Sequence, residues 1–208
     1  VPLIVKKFIN ENGFYNLNIL EDYKIRLKFI PVDNKYKCHE AMSFSYCSLY
    51  NIYLEEWESK DQFEIASLKK EFDYNYLFIP VIKLKKNGLY NNFMDWEIGN
   101  LSLWEPNNYL INMIGEEWNS VKKIIQKGVE IEQVKYGSIL RNNNNLPKQS
   151  ETNYIHLRPH GKDSSDIDIK YFEFTNEKVA ITKQSFWLNK KFVNQLLINN
   201  KWKMNLKG

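Results

Sequence analysis

Residues 24–32 read KIRLKFIPV and alternate between apolar and basic side chains. This alternation predicts a half-buried β-strand, because successive side chains of a strand point to opposite faces. The apolar face consists of Ile25, Leu27 and Phe29. The opposite face carries Arg26 and Lys28, and Pro31 indicates the end of the strand or an edge position.

Two further strands are predicted in the first half of the chain. Residues 41–50 (AMSFSYCSLY) also alternate, and the short polar stretch before them indicates a hairpin connection from the first strand. Residues 76–86 (YLFIPVIKLKK) form a nearly continuous apolar run, which is typical of a strand covered on both faces. Asn87-Gly88 is a turn signal that would end it.

The pattern becomes helical between residues 106 and 128. Trp118, Val121 and Ile125 share one face of such a helix. Acidic residues come early in the segment, lysines come late, and Gly128 follows, in agreement with the helix dipole and with glycine at helix ends. Another extended stretch is expected from Val129 onward.

The remaining segments complete a mixed pattern. Residues 141–150 are interpreted as a flexible connector, residues 154–158 as a strand, and residues 170–183 as a hairpin with its turn at 175–178. A helix is expected after Asn189, a favourable N-cap, and it would bury Phe192, Val193, Leu196 and Leu197. The order of elements predicts a mixed α/β fold, a sheet flanked by helices, in one domain that spans the whole chain.

Composition sets wide limits on function. The chain has 208 residues, 43% of them hydrophobic, and a net charge of +4, which permits an anionic partner without demanding one. No apolar run is long enough to cross a membrane and no cationic leader is present, so we expect no membrane partner.

Cys38 and Cys47 show no disulfide or zinc spacing, which favours a reduced, cytoplasmic setting. The first residue is Val1 rather than Met, and we expect the chain to be part of a longer protein.

A basic loop follows the strand at 154–158. Arg158, Pro159, His160, Gly161 and Lys162 place three donor side chains beside a proline that ends the strand and a glycine that permits close approach. Such a loop can enter a DNA groove, with arginine on guanine and lysine on phosphate. A solvated basic turn is the alternative, and a metal site at this loop is disfavoured because no third histidine lies near His156 and His160 in sequence.

An aromatic pair precedes the last helix, in the stretch Phe186-Trp187-Leu188-Asn189. One of the two rings is expected to anchor the helix in the core. The other could pack against a base or a sugar. Core packing of both rings is the alternative.

The basic face of the strand at 24–32 can be compared with the strand on which metal-dependent nucleases hold Mg²⁺. Such enzymes use an Asp and then a Glu and a Lys that alternate on one strand face, because Mg²⁺ takes oxygen ligands. Here Lys28 is present, but Arg26 stands where the Glu would be. A guanidinium repels a divalent cation. Four pairs with an acid two residues before a lysine occur elsewhere, at 22/24, 33/35, 58/60 and 168/170, and Asp22 with Lys24 is the least weak because it lies at the start of the same strand.

These pieces, in this order, resemble the MutH family, which includes a mismatch-repair nicking enzyme and the GATC-cutting restriction enzyme Sau-three-A-one. The resembling segments are Arg26–Val32, Glu40–Ser43, Trp104–Pro106 with the following Trp118 helix and Gly128, Leu157–Pro159, and Phe186–Asn189. They span most of the chain.

The resemblance implies a restriction-endonuclease fold and recognition of GATC in double-stranded DNA. The family's Arg-Pro loop corresponds to Arg158, Pro159 and His160, and its DNA-contacting aromatic corresponds to Trp187. We expect these residues, together with Gly161, Lys162 and Asn189, to contact DNA. Its active-site lysine corresponds to Lys28, and a following acid to Glu40.

This chain departs from the family at both metal carboxylates, since Arg26 stands at the position of the Glu and Ile19 at the position of the Asp. We therefore expect no catalytic residue and no metal ligand of its own, and a degenerate site at Arg26, Lys28 and Glu40. The chain resembles the C-terminal half of the Sau-type restriction enzyme, an effector domain whose partners are GATC-containing DNA and an N-terminal, Mg²⁺-dependent catalytic half.

Two alternatives remain open at this point. The chain could be an active GATC endonuclease with a rearranged Mg²⁺ site at Asp22, Glu40 and Lys28. It could also be a protein-interaction module that kept the fold and lost DNA binding.

Overall fold

The computed structural model describes residues 18–61, 64–86, 89–90, 92, 95–175 and 180–199. Its elements in chain order are α1 (Asn18–Asp22), β1 (Ile25–Val32), β2 (Met42–Cys47), α2 (Leu49–Leu54), α3 (Ser67–Glu71), β3 (Asn75–Ile82), β4 (Lys85–Lys86), β5 (Leu89–Tyr90), β6 (Glu97–Ile98), β7 (Ser102–Trp104), α4 (Asn108–Lys127), β8 (Ile131–Tyr136), β9 (Ile139–Asn144), β10 (Ile155–Pro159), α5 (Ile169–Thr175), β11 (Gln184–Leu188) and α6 (Lys190–Asn199). The mixed α/β class predicted from the sequence is confirmed.

The described residues fall into two compact units. The first comprises the described parts of 1–42, 73–106 and 190–208, and the second comprises those of 43–72 and 107–189. The single domain expected over 1–208 stays a prediction. Across the described ranges, no helix combines the length and the apolar character needed to cross a membrane.

The first unit is built on a parallel pair of strands. β1 pairs with β3 in a register that places Arg26 opposite Tyr76 and Lys28 opposite Phe78, and β6 and β7 join β3 antiparallel. The apolar face of β1 packs on a cluster of Leu77, Ile79 and Leu101. The strand predicted at 24–32 is confirmed, and the strand predicted at 76–86 is confirmed as far as Ile82. The face of Arg26 and Lys28 is not a solvated one, because their register partners Tyr76 and Phe78 are fully buried.

The hairpin expected between β1 and β2 is wrong. β1 takes β3 as its neighbour, while β2 belongs to a separate sheet of order β10-β11-β2. A turn does follow β1, because the Asp33 carboxylate accepts hydrogen bonds from the backbone N–H groups of Lys35 and Lys37 at 2.8 and 2.9 Å. The polar stretch thus forms a turn, but not one that joins paired strands.

The second unit contains the long helix predicted from residues 106–128. α4 begins after Asn107, whose Oδ1 accepts from the backbone N–H of Leu110 at 2.9 Å, and ends at Gly128 with a φ of 98°. Its buried face includes Trp118, Val121 and Ile125, as expected. Gly115 is needed inside this helix because a Cβ there would overlap the indole of Trp57.

The sheet of the second unit carries the predicted basic loop. β10 and β11 are antiparallel, with His156 opposite Trp187 and Arg158 opposite Ser185. The strand predicted at 154–158 is confirmed with a shift of one residue. β11 was not predicted as a strand. It forms one as a buried strand of this sheet, in which every residue except Trp187 is buried.

Two other expectations for this unit are wrong. The connector expected at 141–150 contains strand β9, which pairs along its whole length with β8 to form a two-stranded ribbon that turns at Gly137, where φ is 62°. The first arm of the hairpin expected at 170–183 is helix α5. The turn assigned to 175–178 lies mostly outside the described residues, as does the turn at Asn87-Gly88. The helix expected after Asn189 is confirmed as α6 of the first unit.

Candidate nucleic-acid interface

The basic loop leaves the sheet where β10 ends. Arg158 and Pro159 are exposed at this point, and so are His160 and Lys162. The backbone N–H of His160 donates to the carbonyl of Lys183 at 2.8 Å, which continues the contact between the two chain segments for one residue past the strand. The donors of the loop are therefore presented to solvent from an ordered backbone.

Arg158 and Trp187 form a cation–π pair on one face of the sheet. In the β10–β11 register the two residues are diagonal neighbours, and such neighbours are within reach when the side chains are long or aromatic. The Cζ atom of Arg158 lies 4.4 Å from the centroid of the indole. Because Trp187 is itself half-buried, its ring provides a fixed platform that orients the guanidinium.

His160 joins this pair from the other side of Pro159. Its ring lies with its centroid 5.1 Å from that of Trp187, and its Nδ1 lies 2.9 Å from the hydroxyl oxygen of Ser185. Arg158, His160 and Trp187 thus form a compact cluster of one guanidinium, one imidazole and one indole.

Asp166 fixes the far end of the loop. Its carboxylate accepts from the backbone N–H of Lys162 at 2.9 Å and pairs with the ammonium of Lys183 at 2.6 Å. The hydrogen bond from Lys183 is the main reason that the pKa of Asp166 is lowered. Gly161 has a steric role here, because a Cβ at this position would lie 2.9 Å from the Asp166 carbonyl oxygen. A loop held in one conformation loses less entropy when it binds.

His156 and Asn189 lie beneath the interface. They are 4% and 2% exposed, and His156 Nδ1 is 2.5 Å from Asn189 Oδ1. The Asn189 amide nitrogen donates to the carbonyl and hydroxyl oxygens of Thr152, so its Oδ1 is an acceptor and the proton of His156 is on Nδ1. Burial is the main reason that the pKa of His156 is lowered, and the charge of Arg158 acts in the same direction. Asn189, predicted to contact DNA, is placed here as a support for β10 and β11.

Glu117 is a contributor that the sequence did not reveal. Its carboxylate accepts from the backbone N–H groups of Asn153, Tyr154 and Ile155, with shortest distances of 2.7, 3.1 and 2.9 Å. It thereby ties α4 to the start of the strand that carries Arg158. In the sequence Glu117 is indistinguishable from any other acid in a helix, and only the tertiary fold gives it this role.

The basic face of β1, in the first unit, does not fit a magnesium ion. The guanidinium of Arg26 lies over the ring of Tyr74, with its Cζ 3.8 Å from the centroid. Asp22 and Glu40 are exposed, and Glu40 acts electrostatically on Lys83, where its charge opposes the lowering of the lysine pKa by burial. Within the described ranges, no group of three or more His, Cys, Asp or Glu residues could hold a metal ion. Arg26 and Lys28 offer no oxygen ligand, and their charges repel a divalent cation.

Comparison with known proteins gives no assignment. No family model matches the chain, and a search of curated proteins finds no match. The functional proposal for this chain therefore rests on the chemistry of its side chains and on the resemblance found in its sequence motifs.

Proposed function

We propose that this chain is a sequence-specific DNA-binding domain that holds GATC in duplex DNA and does not cleave it. In this proposal the chain has a MutH-like form of the restriction-endonuclease fold and is a single domain of a larger restriction enzyme. An N-terminal half of the same polypeptide would carry the Mg²⁺-dependent cleavage. When the present chain occupies a GATC site, cleavage by that half would rise. Such coupling requires the protein to have two conformational states, one of which binds the DNA more tightly.

The observation that carries the proposal is the exposed guanidinium of Arg158 held over Trp187. Arginine recognises guanine through two parallel hydrogen bonds to O6 and N7, and this geometry requires an oriented guanidinium. His160 lies on the same platform as a second polar contact. Lys162, whose backbone is fixed by Asp166, is suited to a phosphate because a single flexible ammonium needs no fixed direction.

The absence of cleavage is explained by the chemistry of β1. Arg26 brings a positive charge to the strand face on which a magnesium-dependent nuclease presents a carboxylate, next to Lys28. A metal-bound water could not be generated at this face without an oxygen ligand. The parallel pair of β1 and β3 in a mixed sheet is compatible with the proposed fold.

The test compares two duplexes that differ only in whether they contain GATC. Fluorescence anisotropy should give tighter binding to GATC, with an affinity that falls as salt rises. Arg158→Ala should cost about 1–3 kcal/mol on GATC and remove most of the preference. Lys162→Ala should weaken both duplexes alike and reduce the salt dependence. Equal binding of both duplexes by the wild-type chain would overturn the proposal.

A second measurement addresses the alternative of an active nuclease. The chain is incubated with Mg²⁺ and a plasmid that contains GATC sites. We expect the plasmid to stay supercoiled. Nicks that disappear with Lys28→Ala would establish the rearranged active site in place of the proposed effector role.

A further inference from the structure

The sheet that carries Arg158 and Trp187 holds a second cation over an aromatic ring. The Nζ atom of Lys183 lies 5.5 Å from the centroid of the Tyr46 ring. Lys183 comes directly before β11, and Tyr46 is on β2, the strand next to β11 in the sheet. One cation–π pair thus spans β10 and β11, and the other spans the start of β11 and β2.

Both pairs lie on one face of the sheet. Arg158 is opposite Ser185 in the antiparallel register, and the hydrogen bond from the His160 N–H to the Lys183 carbonyl extends this register by two residues. Residues two apart in a strand point to the same side, so Lys183 shares the face of Ser185 and Trp187. The ammonium of Lys183 therefore belongs to the same surface as the guanidinium that is proposed to read guanine.

Tyr46 provides an exposed but anchored ring on this surface. It is 45% exposed although it is a large aromatic residue. Partial burial raises its pKa to about 12, and the charge of the fully buried Asp168 acts in the same direction. The phenol is therefore neutral at about pH 7, and it supports a cation without repelling an anion that approaches from solvent.

The ammonium of Lys183 has donors to spare. Its bond to the Asp166 carboxylate at 2.6 Å uses one of the three N–H donors of an ammonium, and its side chain is 37% exposed. The same carboxylate accepts from the backbone N–H of Lys162, the lysine already proposed to contact a phosphate. Asp166 thus links two lysine residues at one edge of the surface.

We propose that Lys183, held over Tyr46, binds a phosphate of the DNA backbone beside the base pair that Arg158 reads. The inference rests on the proposed function, which supplies the duplex. A guanidinium suits a base edge because its donors are fixed in a fork, whereas a compact ammonium suits a phosphate because it needs only to meet a charge. In the free protein the carboxylate of Asp166 takes the place of the phosphate, and the duplex competes with it for the ammonium.

The experiment measures binding by fluorescence anisotropy over a range of salt concentrations, with the duplex that contains GATC and the duplex that lacks it. The slope of log affinity against log salt reports how many phosphates the protein neutralises. Lys183→Met keeps a long side chain and removes the charge. The slope should therefore become shallower by about 1, and the affinity for both duplexes should fall alike.

Lys69→Met is the matched control. Lys69 also pairs with a carboxylate, that of Glu58 at 2.7 Å, and also lies over an indole, that of Trp57. This indole packs against Trp118 of α4, away from the surface of Arg158. The salt slope of Lys69→Met should equal that of the wild-type chain.

A second variant separates a phosphate contact from a role of Lys183 in holding the loop through Asp166. Asp166→Asn weakens the ion pair but keeps an acceptor for the N–H of Lys162. Because it releases the ammonium, it should raise the affinity for both duplexes about two- to fivefold, the equivalent of one surface ion pair. Asp163→Asn removes the same charge from the same loop. Asp163 is bonded to Ser165 and forms no ion pair within the described ranges, so its replacement should have a smaller effect.

The possible results decide between the two proposals. An unchanged slope in Lys183→Met, with the preference for GATC intact, would overturn the phosphate contact and leave the proposed function standing. Loss of affinity in Asp166→Asn would also overturn the contact, because Lys183 would then act only through the loop. A shallower slope in Lys183→Met without any preference for GATC would support the contact and overturn the proposed function. A cooperative thermal melt of each variant establishes that folded protein is measured.

Discussion

Replacement of Trp187 by leucine isolates the platform beneath Arg158. Leucine keeps an apolar side chain in β11 but removes the aromatic face that lies 4.4 Å from the Arg158 Cζ atom. Arg158 would then sample many rotamers, and part of its hydrogen-bond geometry toward guanine would be lost. A cation–π contact at an exposed site contributes about 0.5–1 kcal/mol, so affinity for GATC should fall by about two- to fivefold.

A double-mutant cycle tests whether this loss passes through Arg158. Affinities for GATC duplex are measured by fluorescence anisotropy for wild type, Arg158→Ala, Trp187→Leu and the double variant. Trp187→Leu should have a much smaller effect when Arg158→Ala is present, since the platform then orients only His160. The coupling free energy should equal the larger part of the effect of Trp187→Leu.

The control variant is Trp96→Leu, which removes an indole beneath a different cation, Lys83, at 3.8 Å in the first unit. It should leave DNA affinity unchanged. Additive losses in the cycle would refute the reasoning, because they would show that Trp187 and Arg158 act independently. Urea unfolding of each variant verifies that the comparison is made between folded proteins.

Three further predictions concern stability, each measured by urea unfolding. Glu117→Gln should destabilise the fold by about 1–2 kcal/mol because three backbone donors lose a charged acceptor, whereas neighbouring Glu116→Gln should have no effect; equal effects would contradict this. Gly115→Ala should cost about 1–3 kcal/mol, since the new methyl overlaps Trp57, and a neutral result would show that the ring can move. Burial lowers the pKa of His156 below its ordinary 6.5, so the contribution of the neutral ring to the free energy of unfolding is complete above about pH 6.5 and is lost as the pH falls through the folded-state pKa. His156→Gln should therefore flatten the decline in the free energy of unfolding between about pH 8 and about pH 5. An unchanged decline would assign it to other groups.

Local periodicity explains which elements could be predicted. β1, β3 and α4 each carry a long apolar pattern that fixes the type of element, and in α4 the pattern also fixes the buried face. β9 could not be found in this way, because a run of asparagines has low strand propensity. It is a strand through its pairing with β8, where Asn142 and Asn144 are opposite Gln133 and Ile131.

Helix α5 shows tertiary structure prevailing over composition. Residues 169–175 (IKYFEFT) are rich in β-branched and aromatic residues, which favours a strand. The preceding Asp168 is fully buried, and its carboxylate accepts from the Ser48 hydroxyl at 2.8 Å and from the backbone N–H of Leu49 at 2.7 Å. The same carboxylate accepts from the backbone N–H of Tyr171 at 3.3 Å, as an N-cap does. An aspartate directly before the segment was therefore a helix signal that the strand interpretation overlooked.

The candidate site was predictable only in its parts. The loop at 158–162 and the ring of Trp187 are visible in the sequence, but the cation–π pair depends on the β10–β11 register, which no local pattern specifies. The partner of Asn189 was likewise hidden, because its burial depends on Thr152 and His156 reaching it from a distant part of the chain. Residue types can be read from sequence, whereas the pairing between strands has to be observed.

The two basic features of the chain belong to different compact units, and this separation bears on how a nuclease could become an effector. Arg26 and its tyrosine are in the first unit, while the loop from Arg158 to Lys162, its tryptophan and its support from Glu117 are all in the second. None of the described contacts that orient the guanidinium over Trp187 involves a residue of β1. In the proposed function, loss of a metal carboxylate would therefore remove cleavage without a structural cost to recognition, which is the combination of properties that a domain needs to bind a site and leave it intact.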